Sequence, residues 1–432
     1  MKKINWILLS FITLTIAACS FSDRGELVGT QGRKAWFHPQ PYGTVYIPTG
    51  SIHMGANEQD VPMAMLAPNK QVSISAFYMD ETEITNNEYR QFVDDVMDSV
   101  VRTKLGEVAP EKYMQNDEEG NPVGLNWRSK IDQDDIKANK DAFTDMYYSQ
   151  EETYYRTKQY DVRKIIYKYE YIDLKSAAQF HKKDGYAKNR KDFKHDEEVK
   201  IYPDTLVFIR DFTYSYNEPL ATVYFWHPKY DDYPVVGVNW HQARAFSAWR
   251  TTHLNSFYAD NEENIVTAFR LPTEYEWEYA ARGGRDQNLY PWGNYYVRNA
   301  KGCSLANYKP GRGEYDSDGG HYPIRVSSYF PNDFGLYDMS GNIAEWTSTA
   351  YETNSNLFTH DNNPEFQVDL KQDDSEVKET YKRKVTRGGS WKDVAFFTQC
   401  GTRTYEYADS SNSYTGFRCV MSYIGRSNKD KK

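Results

Sequence analysis

The sequence predicts an α+β domain with little regular secondary structure, and three features carry that prediction. Two amphipathic helices are announced by their own capping residues. Short alternating apolar runs read as strands. The final third is crowded with Gly, Asn, Asp and Trp, as in "YPWGN" and "DFGLYDMSGNIAEWTS". Turn residues between short aromatic runs imply compact, loop-heavy structure.

The chain opens "MKKINWILLSFITLTIAAC", two lysines and an apolar run that stops at small residues before Cys19. That run is a secretory signal, too short for a stable membrane span. "IAAC" resembles a lipobox, which makes residues 1–18 a lipoprotein signal peptide and Cys19 the lipidation site. The plainer alternative is a signal peptide cut nearby. Each buried acyl methylene contributes about 0.8 kcal/mol, so several chains on one cysteine anchor a protein almost permanently. Residues 19–42 then form a polar leader, 43–424 the globular domain, and 425–432 a disordered tail.

Within the domain, "GTVYIPTGSIHMG" alternates and is broken by Pro48 and Gly50, which suggests a hairpin. "VSISAFYMDETEIT" reads as one strand. In the helix that follows, Tyr89, Phe92, Val93 and Val96 share a face. From about 97 to 226 the text becomes charged and tyrosine-rich, far longer than an ordinary loop. It reads as an insertion with its own strands, "KIIYKYEYIDL" and "DTLVFIRDFTYSY" among them. It is either a solvated elaboration or a partner-binding surface. Asn239 then caps a helix burying Ala243, Phe246 and Trp249, and Thr273 with Glu276 makes a capping box ahead of the stop at Gly283.

Composition excludes several functions. The 432 residues carry a formal charge of −9, and the only short basic run is the tail "GRSNKDKK". Nothing else offers the basic surface that nucleic acid requires. There is no CxxC, no HExxH, no GxSxG and no phosphate-binding loop. With Cys19 on lipid, Cys303, Cys400 and Cys419 allow one disulfide with one thiol over. "DMSGNIAE" sets Asp338 and Glu345 about a glycine turn, with the carbonyls of Gly341 and Ile343 between. "ANY…DSDGG" offers Asn307, Asp316 and Asp318. These are calcium ligands or simply turn-forming residues, since calcium accepts carboxylates and carbonyls alike.

Eight motifs in order, from "IPTGSIHMG" through "FYMDETEITNNEYRQFV", "YPVVGVNWHQARAFSAW", "RLPTEYEWEYAARGG", "YPWGN", "GLYDMSGNIAEWTS" and "RGGSW" to "GFRC", resemble the formylglycine-generating, sulfatase-modifying domain. The resemblance implies a C-type-lectin-like α+β fold with two structural calcium sites. One would use Asp338, Glu345 and the carbonyls of Gly341 and Ile343. The other would use Asn307, Asp318 and the carbonyl of Tyr308. In that family two cysteines after RGGSW bind copper and activate oxygen. Here those positions hold Asp393 and Thr398, hard ligands that cannot replace thiolates on Cu(I). The resemblance therefore implies a pseudoenzyme with no copper. It also implies that Ser247 and Ala281 stand where partners of Cys400 and Cys419 would be. The histidine cluster of the iron-dependent sulfoxide synthases is missing too.

The lipobox, the leader "GELVGTQGRKAW" and "MDETEITNNEYRQFV" further resemble the GldK/PorK lipoproteins of type IX secretion and gliding motility. That resemblance implies an outer-membrane lipoprotein on the periplasmic side, self-associating into a ring with a GldN/PorN-type periplasmic subunit. The alternatives are a copper-dependent thiol oxidase and a lectin-like binding module.

Overall fold

The computed structural model describes residues 38–425 apart from 56–68, 118–121, 175, 179, 181–188, 215–217, 312, 314 and 369–377. The expectations for the signal peptide, Cys19, the leader up to residue 37 and the tail from residue 426 lie outside the described residues.

Each of the three longest helices begins at a capping residue, expected from the sequence at Asn239 and Thr273 and added by the structure at Thr85. Thr85 starts α1 (Asn86–Val108) by accepting from the Glu88 amide, while Glu88 returns a carboxylate to the Thr85 amide at 2.8 Å. Asn239 and Gln242 repeat the device at α2 (Trp240–Asp260), and Thr273 and Glu276 at α3 (Glu274–Ala281). Each box satisfies two amides that the helix leaves open. Tyr89, Phe92, Val93 and Val96 are buried on α1, as are Ala243 and Phe246 on α2, where Trp249 is only half-buried. Beyond α3, Gly283 takes a φ of +62°.

Two four-stranded sheets organise the body formed by residues 40–424. The first joins β1 (Thr44–Ile47), β4 (Phe77–Asp80), β14 (Val420–Ser422) and β9 (Phe269–Arg270), all antiparallel. The second runs β12 (Thr404–Tyr407), β11 (Arg383–Arg387), β10 (Ala344–Ala350) and β13 (Thr415–Gly416), the last pair parallel. The first sheet is buried on both faces, because alternate side chains of a strand point opposite ways. Tyr78 and Met421 enter a core shared with α1 and α2. Phe77, Met79 and Val420 enter another, shared with α3 and with the pair β2 (Gly50–Met54) and β3 (Lys70–Ile74).

Several sequence expectations change. "GTVYIPTGSIHMG" is not a hairpin, since β1 pairs with β4 and β2 with β3. Pro48 and Thr49 lie between the two strands, and the chain passes there from one sheet to the other. "VSISAFYMDETEIT" makes two strands, parting at Ser75 and Ala76. "DTLVFIRDFTYSY" forms a helical turn at Val207–Asp211 that buries Val207 and Phe208. A short continuous apolar run does not distinguish strand from buried helix. The composition boundary near residue 97 falls inside α1. Beyond it stand β5 (Met114–Asn116), β6 (Pro122–Leu125) and the hairpin of β7 (Ile166–Ile172) with β8 (Lys194–Lys200). Leu105, Tyr113, Phe143 and Met146 give this stretch a small core of its own.

Candidate functional site

Asp393 and Thr398 bracket one 3-10 turn, Ala395–Thr398. A Cβ added at Gly389, where φ is +64°, would lie 2.6 Å from the Phe397 carbonyl, so glycine lets the chain after β11 press against this turn. Both side chains are spent on local bonds. One oxygen of Asp393 accepts from the Ser390 amide at 3.0 Å and from its hydroxyl at 2.6 Å. Thr398 Oγ1 donates to the Ala395 carbonyl at 2.9 Å. Neither supplies the soft sulfur that Cu(I) selects.

The thiols lie elsewhere. Cys303 is exposed, Cys400 and Cys419 are buried, and all three are free. The expected disulfide among them is not formed in the structure. Cys400 packs with Trp277 and Ala281 in one core, Cys419 belongs to the other, and Cys303 stands on a surface loop. Burial pushes both buried thiols up to about 12. A thiol held so far from its thiolate is a poor nucleophile and a poor metal ligand. Ser247 Oγ lies 3.4 Å from Cys419 Sγ, beside the thiol whose partner position the family resemblance implies for it.

The motif "DMSGNIAE" enters a buried charge cluster. Glu345 sits wholly inside and is gripped by Arg418, whose Nε and Nη2 donate to its two oxygens at 2.7 Å each. Trp277 Nε1 donates to the same carboxylate at 2.7 Å. Asp338, at φ +56°, accepts from the Ser327 amide through Oδ2. Its Oδ1 is buried without a hydrogen-bond partner. Burial pushes the Asp338 carboxyl up to about 6. Glu83 completes the cluster, accepting from the Asn342 side chain and the Ile343 amide. Burial first, then the charges of Asp338 and Glu345, hold Glu83 well above the usual carboxylate range.

The other predicted calcium ligands adjoin it. Asn307 donates to the Tyr322 carbonyl, and its own carbonyl accepts from the Asn342 amide at 2.8 Å. Its side-chain oxygen is buried without a partner. Asp318 accepts from the Tyr308 amide at 2.7 Å and the Gly320 amide at 3.4 Å. Burial raises its carboxyl above the ordinary range. Two orphaned buried oxygens among raised carboxylates suit a hard cation. Glu345 fits less well, because Arg418 already neutralises it. No group of three or more His, Cys, Asp or Glu poised for a metal occurs among the described residues. That donor set leaves aside the Asn and carbonyl oxygens that a calcium site uses.

A second buried network ties "RGGSW" to α3. Arg387 reaches Glu274 and Glu278, Arg403 clamps Glu274, and Arg282 donates to Glu278 and to the Gly55 carbonyl. Burial works to raise the Glu278 carboxyl, but the guanidiniums of Arg282 and Arg387 outweigh it and the net shift is downward. Sequence reasoning assigned no role to Glu83, Arg418, Arg387 or Glu274, although "MDETE", "RLPTE" and "GFRC" display them. Their partners lie up to 338 residues away, as for Arg418 Nη1 and the Asp80 carbonyl.

The family model described as the sulfatase-modifying factor enzyme 1-like domain matches residues 34–163 and 174–423. The inactive C-alpha-formylglycine-generating enzyme 2 of Bos taurus is 34% identical over 195 residues, or 44% of this chain and 50% of that protein. The formylglycine-generating enzyme of Bos taurus is 25% identical over 391 residues, 89% of this chain and 76% of that one. The chain thus spans about half the length of the inactive relative it matches. PvdO from Pseudomonas aeruginosa aligns over 90% of this chain and 98% of that one, with a TM-score of 0.46 and 15% identity.

Proposed function

Because this chain belongs to the sulfatase-modifying factor enzyme 1-like family, we propose that it keeps the family's frame for a structural task and performs no catalysis. One observation carries the reading. The two positions that bear copper thiolates in the catalytic pattern are Asp393 and Thr398, each closed in its own turn. Cys400 is the next thiol along and is buried with its proton held tightly. The alternative of a copper-dependent thiol oxidase lacks its ligands, and no observation favours a lectin-like sugar site.

In this reading the fold is C-type-lectin-like, with residues 97–226 inserted. Calcium, where bound, is structural: one ion would neutralise Asp338, and a second would be held by Asn307 and Asp318. The protein is an outer-membrane lipoprotein anchored through Cys19 and facing the periplasm. It is a GldK/PorK-type ring subunit of the type IX secretion and gliding machinery, working with a GldN/PorN-type partner. The leader motif and the lipobox support this, as does the tyrosine-rich stretch, where Tyr155 and Tyr214 are more than four-fifths exposed. Tyrosine and arginine are favoured at protein interfaces.

The test is gentle detergent extraction of the outer membrane, capture on a C-terminal tag, sizing and mass spectrometry. A very large assembly that contains a second periplasmic subunit is expected. A lone monomer would overturn the scaffold reading.

A further inference from the structure

The hairpin β7–β8 packs over the start of α2 and leaves a groove of about 1270 Å³ between them. Tyr169, Tyr171 and Glu197 line one wall, and Trp240, Arg244 and Thr251 the other. At one end a buried bridge joins the hairpin to α2, beside the bond from Gln242 Nε2 to the Lys200 carbonyl at 2.9 Å. His241, in the first turn of α2, is 1% exposed. Its Nδ1 lies 3.3 Å from Glu197 of β8, and its Nε2 lies 3.4 Å from Asp409 in the loop after β12.

We propose that Glu197–His241–Asp409 is a pH-responsive latch, which fastens the β7–β8 hairpin to α2 and sets the width of the groove behind it. The reason is the count of donors. A neutral imidazole has one N–H and one lone pair, whereas the imidazolium has two N–H groups. Both ring nitrogens here face carboxylate oxygens, so only the doubly protonated ring donates to both. A neutral ring would turn a lone pair on one carboxylate. Histidine exchanges this proton near neutral pH.

The surroundings bear on the same balance. The N-terminus of α2 carries about half a positive charge, which opposes a cationic ring. The carboxylates of Glu197 and Asp409 act in the opposite sense. Glu197 also accepts from Tyr169 Oη at 2.8 Å and has Arg244 at 3.7 Å. Burial works to raise the Glu197 carboxyl, but His241, Arg244 and Tyr169 together bring it below its ordinary range. The hydrogen bond from His241 does the same for Asp409, helped by the charge of Lys382. Lys384 lies 3.9 Å above the Trp240 ring, Arg244 stands over Tyr171, and the Trp240 ring meets His241 edge-on. The latch is closed where both carboxylates are ionised and the ring holds two protons. It opens as pH rises and the ring loses one.

Hydrogen exchange on the full chain tests this, with protection factors corrected for intrinsic rate at pH 6 and pH 8. Amides of β7 and β8 should lose protection by roughly tenfold between the two, the factor that one unit of proton linkage carries. Amides of β10 and β11 should not change. His241→Gln should abolish the dependence. Asp409→Asn, at a half-exposed side chain, should flatten it as well and serves if the first variant does not fold. Equal hairpin protection at both pH values in the unmodified protein would overturn the proposal. So would the same tenfold loss in either variant.

Discussion

Ser247→Cys should close a crosslink that the fold already has room for. Ser247 Oγ and Cys419 Sγ are buried, 3.4 Å apart, and separated by 172 residues of chain. A disulfide closing a loop of that length removes roughly 5 kcal/mol of unfolded-chain entropy. Part of this is offset in the native state, because the two sulfurs must approach to about 2.05 Å. A net gain of about 3 kcal/mol follows, and in a body this large that raises Tm by about 4 °C. Thiol titration in denaturant provides the assay. Beyond residue 19 the variant has four cysteines, and the oxidised protein should show two free thiols. Four free thiols in the oxidised variant, or a lower Tm, would refute the claim that this pair occupies a crosslink position.

Three further outcomes follow from the buried charges and thiols. Arg418→Met leaves Glu345 inside without its partner, which should cost about 3–5 kcal/mol in urea unfolding. In chelator-treated protein, Asp338 gives a pH signature. Its folded value of about 6 lies above the ordinary carboxylate value, so the folded state binds the proton more tightly. Its contribution is full at low pH and is lost as pH rises from about 4 to 6, roughly 3 kcal/mol in all. Asp338→Asn should remove that part of the pH slope, and equal slopes would contradict the assignment. Alkylation of native protein followed by mass spectrometry should modify Cys303 and spare Cys400 and Cys419, with all three reacting after unfolding.

Capping made two helices legible, through Asn239 and through Thr273 with Glu276, while α1 was read from the shared face of Tyr89, Phe92, Val93 and Val96. Strand pairing was not legible. β1 and β2 are neighbours in sequence but belong to different sheets, and nothing local distinguishes that from a hairpin. β10, "AEWTSTA", is buried along its whole length and so lacks the alternation that marks a half-exposed strand. The absence of thiolates at 393 and 398 was visible through the family motifs alone. The cluster of Glu83, Asp338, Glu345 and Arg418 was not, because it is assembled from three distant segments. His241 stayed hidden for the same reason: its carboxylates come from β8 and from the loop after β12.

Anaerobic titration of the reduced protein with Cu(I), against a competing chelator, tests the central claim most directly. The account predicts no stoichiometric copper once exposed Cys303 is replaced by serine, and no oxygen consumption with a cysteine-containing peptide. One equivalent of tightly held Cu(I) that survives Cys303→Ser, with oxygen-dependent loss of the peptide thiol, would contradict it.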